Sequence, residues 1–391
     1  MIIKPRIRGF ICTTAHPVGC AALVREQIDY TVGRGPFRQA PRNVLVVGAS
    51  GGYGLASRIV AGFGAGAKTI GLSFEKEPDG ERTASAGWYN NLAFDRAAAA
   101  RGLYARSISA DAFADATKQR IADLVRAGLG PIDLLVYSLA SPVRTDPDTG
   151  VTHRSVIKPI GAPVHVKSVN VEKGVVHELD LAPAAEEEIA ATVKVMGGED
   201  WERWIAFLAR EGLLAEGFRT VSYTYIGTEL TWPIYWDATL GKAKEDLDRA
   251  ARTIREIVAP LHGDARVAVL KAVVTQASAA IPVVPLYASI LFKVMKEMGL
   301  HEDCIAHIDR LFREQLYGGG ELRLDEVGRI RLDDWELRDD VQARVRTRWA
   351  DITTENLFEL SDLEGFRRDF LKIFGFGADG VDYAAEVDPR G

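Results

Sequence analysis

A chain of 391 residues, 47% hydrophobic and 26% charged, can bury a large core, which excludes wholesale disorder. The formal net charge of −6 leaves no basic footprint for nucleic acid, and three cysteines are too few for a disulfide framework. The first six residues lack the apolar run of a secretory signal, so a cytoplasmic protein is expected.

Cys12, His16 and Cys20 lie close together near the start of the chain. Their spacing fits no zinc pattern and no second ligand cluster follows, so no metal is expected. Short β-branched runs then alternate with helical stretches, the pattern of a doubly wound parallel α/β sheet. Residues 44–47 predict the first strand, followed by a glycine turn and a helix over about 55–63. Strands are predicted over 68–75 and 103–107, then a helix with Phe113, Ile121, Leu124 and Val125 on one face. Further strands are expected over 132–138, 220–226 and 266–274, with an amphipathic helix over 245–259 that stops near Pro260.

Three segments exceed a minimal dinucleotide-binding unit. Residues 1–42 precede the first strand, and 142–218 form an insertion with a hairpin over 164–176 and helix over 186–214, broken at Gly197-Gly198. The tail from 301 reads as mostly helical, with a short hairpin near 322–332. No Ser/Gly/Pro-rich linker divides the chain, so one extended unit is expected, with 43–141 as its cofactor half and 219–300 as its catalytic half. No charge occurs between Lys271 and Lys293, but Thr275, Gln276, Ser278, Pro282 and Pro285 interrupt that run. A buried strand leading into an apolar helix over 277–292 is expected there, not a membrane span.

The glycine turn is Gly48-Ala49-Ser50-Gly51-Gly52-Tyr53-Gly54. Between a strand and a helix, such glycines allow a tight turn and close backbone approach to a pyrophosphate, which the helix N-terminus attracts. Glu75, about twenty residues on, can accept from the adenosine ribose hydroxyls and repel a 2′-phosphate, favouring NADH over NADPH. A solvated Glu is the alternative. Asp111 can reach the adenine or cap the next helix, and the two roles are equally open. Ser138-Leu139-Ala140 ends a strand where small residues let the backbone pass beneath a ribose.

Tyr235 and Lys244 are separated by eight intervening residues. Residues nine positions apart on one straight helix face opposite ways at ~100° per residue. Pro233 before and Gly241 between them therefore place Tyr235 in a loop or first turn and Lys244 deeper in the helix that follows. A lysine ~4 Å from the phenol at an effective dielectric near 20 would couple to it by roughly 4 kcal/mol and lower its pKa. The bland alternative is a core tyrosine and a solvated helix lysine. Tyr225, at the carboxyl edge of a predicted strand, is a second phenol able to bind a substrate carbonyl, or else simply to pack. Val273-Val274-Thr275 should close over a nicotinamide, with the apolar helix beyond it walling an acyl channel.

These features resemble the short-chain dehydrogenase/reductase superfamily. More closely, the chain resembles the FabV-type enoyl-ACP reductases and the trans-2-enoyl-CoA reductases. The resemblance runs through residues 1–10, 48–55, 137–146, 225–244 and 274–285, and through Ala86-Gly87-Trp88-Tyr89-Asn90. The wide Tyr-to-Lys gap is its most specific mark. It implies a Rossmann-like fold and the NADH-dependent reduction of enoyl-ACP or enoyl-CoA thioesters. Tyr235 would be proton donor, Lys244 cofactor ligand, Tyr225 substrate ligand and Glu75 the NADH selector. Further cofactor contacts implied are Gly48, Ala49, Ser50, Gly51, Gly52, Tyr53, Phe74, Asp111, Ala112, Leu139, Ala140, Val273, Val274 and Thr275. Many relatives carry a second lysine where this chain has Glu245, which leaves that cation's role unassigned. The C-terminal part of such proteins has been linked with flavin; no flavin fingerprint is present, so none is expected. A carbonyl reductase or a non-catalytic NADH-binding protein are the rival readings, and a monomer is the expected assembly.

Overall fold

The computed structural model describes residues 1–391. Seven strands form the central sheet: β1 Asn43–Val47, β2 Lys68–Ser73, β3 Ala105–Ser109, β4 Ile132–Tyr137, β5 Leu214–Thr224, β6 Asp264–Val269 and β7 Ile330–Arg331. All pair in parallel, in the order β7-β6-β5-β4-β1-β2-β3. The order reverses between β1 and β4, so the crevice at their carboxyl ends is the topological switch point where such sheets bind ligands.

Twelve helices surround the sheet: α1 Pro17–Gly33, α2 Gly52–Ile59, α3 Ala86–Ala100, α4 Asp115–Leu124, α5 Glu186–Met196, α6 Glu199–Arg210, α7 Thr239–Val258, α8 Val284–Glu297, α9 Cys304–Arg310, α10 Asp339–Asp351, α11 Leu357–Leu360 and α12 Leu363–Lys372. Side chains of a strand alternate between faces, so Val44 and Val46 enter one core while Leu45 and Val47 enter the other. The first core takes Ile28 of α1, Ile59 of α2, Phe94 of α3 and Ile308 of α9. The second takes Ile121 of α4, Trp204 of α6 and Ile254 of α7. Helix α8 carries no charge before Lys293 because it is buried from Val284 to Phe292: Leu286, Ile290 and Leu291 pack with Val341 and Val345 of α10 and Phe366 of α12. No helix is long and apolar enough to cross a membrane.

Several elements differ from the sequence expectation. The helix after the glycine turn starts at Gly52, three residues early, because the turn itself supplies its first N–H groups. The third strand begins at Ala105; Gly102 at φ +66 completes the α3 C-terminus, and the Leu103 amide still bonds Ala98. The insertion's hairpin runs Val164–Asn170 with Val175–Leu181, longer than expected since its second strand alternates charged residues outward. Strand β6 ends at Val269, leaving residues 270–274 outside the sheet. Helix α8 starts at Val284, after a short 3-10 turn and Val283 at φ +73, so the helix expected from 277 is broken where Pro282 and Pro285 fall. Near 322–332 there is one antiparallel bridge, Leu324 to Ile330, while Ile330–Arg331 joins the main sheet as β7.

Candidate active site

The glycine turn leaves β1 at the switch point. The Gly48 and Ala49 amides both donate to the Leu72 carbonyl, at 2.8 and 3.0 Å, which bends the chain off the sheet. Gly48 sits at φ +86, and a Cβ there would collide with the Ser138 carbonyl at the end of β4. A Cβ on Gly54 would collide with the Gly48 carbonyl, so strand, turn and helix pack without side chains between them. Gly51 is the contrast: exposed, extended at φ −160, with nothing within 4 Å of a Cβ. That open side, above the start of α2, is a cradle for a diphosphate. Across from it lies Thr275, whose Cγ2 is 3.2 Å from where a Gly52 Cβ would be. The residues present thus fit a nicotinamide dinucleotide.

Glu75 stands just past β2. Ser50 of the glycine turn donates to its Oε1 and Ser85, the residue before α3, donates to its Oε2. A Cβ on Gly87 would strike that carboxylate, so glycine in the first turn of α3 makes its room. Asn90 then ties α3 to the turn, donating from Nδ2 to the Ser50 carbonyl at 2.9 Å. Phe74 is exposed. Asp111 does not cap α4, whose N-cap is Ala114; its Oδ1 accepts from the Phe113 amide at 2.9 Å and shapes the loop after β3. The Lys118 ammonium donates to the carbonyls of Ala112 and Phe113 at 3.1 and 3.0 Å, and Trp204 donates to Ala112 at 3.2 Å. Leu139 and Ala140 follow Ser138 beside the turn, and the Tyr53 hydroxyl reaches the Lys271 carbonyl at 2.8 Å.

Tyr235 follows a 3-10 turn over Trp232–Ile234, and Lys244 lies in the second turn of α7, the division that the poor helical phasing requires. Gly241 permits it: a side chain there would run into the Trp236 carbonyl, and its amide bonds the Tyr235 carbonyl at 2.8 Å. Tyr235 is 7% exposed and packs with Leu240, Ile281 and Val284. The last two come from the segment expected to wall an acyl channel. Burial pushes the Tyr235 phenol above its ordinary value, partly offset by the Tyr225 main chain. This corrects the expected lowering by Lys244: removing a phenolate from water outweighs any help from the lysine. The half-buried Lys244 is itself lowered to about 8 by burial, and the Glu245 beside it pairs instead with Lys242 at 2.8 Å.

Tyr225, one residue past β5, meets Tyr235 edge to face. Its hydroxyl donates to Glu336 at 3.0 Å, a partner 111 residues away that no local pattern could announce. Cys12, His16 and Cys20 form no metal-binding group; His16 caps α1, accepting from Gly19 at 3.1 Å.

A parallel sheet with its order reversing at a glycine-cradled crevice, and an acid poised beyond the second strand, defines a dinucleotide-binding protein of Rossmann type. Residues 2–80 match the model of the NAD(P)H binding domain of trans-2-enoyl-CoA reductase, and 82–317 match its catalytic region. The chain is 57% identical over 389 residues to an enoyl-[acyl-carrier-protein] reductase [NADH] of Edwardsiella ictaluri, covering 100% of this chain and 98% of that one. It is equally 57% identical to the FabV reductase of Aeromonas salmonicida, with the same coverage. Among solved structures, Treponema denticola trans-2-enoyl-CoA reductase in complex with NAD matches at TM-score 0.95 and 51% identity, covering 99% and 98% of the two chains. The Clostridium acetobutulicum enzyme in complex with NADH matches at TM-score 0.97 and 43% identity, covering 100% and 98%. The chain belongs to the family of FabV-type enoyl-ACP reductases and trans-2-enoyl-CoA reductases.

Residues 324–387 also match a model described as an enoyl reductase FAD binding domain. Their arrangement does not fit a flavin dinucleotide. Val341, Val345, Leu357, Leu363 and Phe366 are spent on α8, and no glycine turn there joins a strand to a helix.

Proposed function

We propose that the protein reduces the carbon-carbon double bond of trans-2-enoyl thioesters, on acyl carrier protein or coenzyme A, with NADH, as the last reductive step of fatty-acid elongation. The observation that carries this is Tyr235, a phenol kept protonated by burial in an apolar pocket at the sheet's carboxyl edge. Bound NADH supplies the hydride for the β-carbon. Gly48 to Tyr53 would hold its diphosphate, Glu75 its adenosine ribose, Asp111 and Ala112 its adenine, and Leu139, Ala140, Lys244 and Val273 to Thr275 its nicotinamide half. Phe74 belongs to the adenine side of that set. As charge moves onto the thioester oxygen, the Tyr235 hydroxyl donates to it, an interaction strongest in the transition state. The same phenol returns a proton towards the α-carbon, directly or through the enolate. Tyr225 lines the substrate side, and Ile281 and Val284 exclude water around the acyl chain.

In this reading residues 43–141 are the cofactor half, 219–300 the catalytic half, and 142–218 cover the substrate side of one cytoplasmic, monomeric unit. The test is NADH oxidation with matched enoyl-ACP and enoyl-CoA series of increasing chain length, beside 3-ketoacyl-CoA. Turnover confined to the enoyl thioesters is expected. Turnover on the ketone alone would make the protein a carbonyl reductase, and none on any substrate would leave only a binding protein.

A further inference from the structure

Glu336 is 0% exposed and lies in the C-terminal segment, between β7 and α10. Its two oxygens face two different parts of the site. Oε1 accepts from the Tyr225 hydroxyl at 3.0 Å and from the Tyr287 hydroxyl of α8 at 2.8 Å. Oε2 accepts from the Ala272 amide at 2.7 Å, at the head of the stretch that continues into Val273, Val274 and Thr275. Gln342 locks the arrangement, donating to the Glu336 carbonyl at 2.7 Å and to the Tyr287 hydroxyl at 3.2 Å. A buried carboxylate is costly unless its lone pairs are filled, and here three donors fill them.

We propose that Glu336 is a positioning residue for the reduction, holding the Tyr225 phenol against Tyr235 with one oxygen and the segment that follows β6 with the other. The inference rests on the reading of Tyr225 and Tyr235 given above. It assigns the C-terminal segment a part in the chemistry that needs no flavin. A phenol has one proton to give. While Tyr225 gives its proton to Glu336, the ring is fixed in rotation, and the edge-to-face contact at 5.1 Å passes that constraint to Tyr235. The carboxylate therefore orients the proton donor without touching substrate.

The experiment is a double-mutant cycle on the full chain with crotonyl-CoA, using Glu336→Gln, Tyr225→Phe and the pair. Glutamine can still accept from Ala272 through its oxygen, but turns an N–H towards the phenols. The expected result is a fall in kcat of about tenfold or more for each single variant, NADH affinity within about twofold of the parent, and a double variant no worse than the poorer single one. Losses that multiply in the pair would show that Glu336 supports the fold and not Tyr225, and overturn the proposal. So would normal kcat in Glu336→Gln, or a loss there while Tyr225→Phe turns over normally; that last outcome also removes Tyr225 from the proposed site. An inert Tyr235→Phe beside normal Glu336→Gln and Tyr225→Phe variants would overturn the role of Glu336 while leaving the proposed reduction standing. Should Glu336→Gln fail to fold, Glu336→Asp is the substitute: it keeps the charge but is one methylene too short to reach both partners. Full activity in the Asp variant would equally overturn the assignment.

Discussion

The rings of Tyr225 and Tyr235 meet edge to face, with centroids 5.1 Å apart and planes at 85°. One residue closes a central strand and the other closes a 3-10 turn, so the contact ties the sheet edge to the loop that carries the proposed proton donor. Replacing Tyr235 by phenylalanine keeps this contact and removes only the hydroxyl. The variant should lose about 10²- to 10⁴-fold in kcat on an enoyl thioester, with NADH affinity unchanged in a fluorescence titration. Turnover within a few-fold of the parent would remove Tyr235 from the mechanism.

Lys244 gives the site a pH dependence with a definite sign. Lowered to about 8, it is cationic below that pH and neutral above it. NADH affinity of the free enzyme should therefore weaken as pH rises through about 8, and Lys244→Met should bind weakly with no such inflection. Stability runs the other way. The unfolded lysine holds its proton up to about 10.4, so between about 8 and 10.4 the unfolded chain binds more protons than the folded one, and raising pH stabilises the fold. The excess thermal stability of Lys244→Met should thus be largest near neutrality and shrink across that window.

The glycine turn predicts opposite outcomes for two neighbouring glycines. Gly54→Ala drives a methyl into the Gly48 carbonyl and should lower Tm and abolish NADH binding together. Gly51→Ala meets nothing in the protein and has an extended φ that any residue adopts, so Tm should hold while NADH affinity falls. Equal loss of Tm in both would mean that the open side of the turn is not a ligand face.

In the proposed function Glu75 is the charge that faces the adenosine ribose. Glu75→Ala should lower KM for NADPH by about tenfold or more while raising that for NADH, as expected when a repelling carboxylate is removed. An unchanged ratio of the two KM values would assign Glu75 to the Ser50 and Ser85 bonds alone.

What could be read before folding was whatever is written locally. Strands β1 and β4, the glycine turn, and the break between α5 and α6 at Gly197-Gly198 follow from short apolar β-branched runs and glycine placement. So did the separation of Tyr235 from Lys244, since helical phasing forbids any other arrangement. Starts of helices were harder: α7 begins six residues before 245, because Gly241, lacking a side chain, fits against the Trp236 carbonyl. Long-range polar partners left no trace. Glu336 reads as one more acid in a charged tail, and Lys118 as one more lysine on an amphipathic helix, until the fold brings them to Tyr225 and to the loop at Ala112. The lowered phenol also failed as an expectation, because burial is a property of the assembled pocket.

Gly87 has a consequence for anyone wishing to redirect the protein towards a phosphorylated dinucleotide. The acid proposed to discriminate, Glu75, sits in a socket cut by a missing side chain on the neighbouring helix. Erasing the acid alone leaves a hollow with two serine hydroxyls at its rim. A convincing switch of electron donor must recarve the helix start together with the strand end, since the two were shaped as lock and hasp.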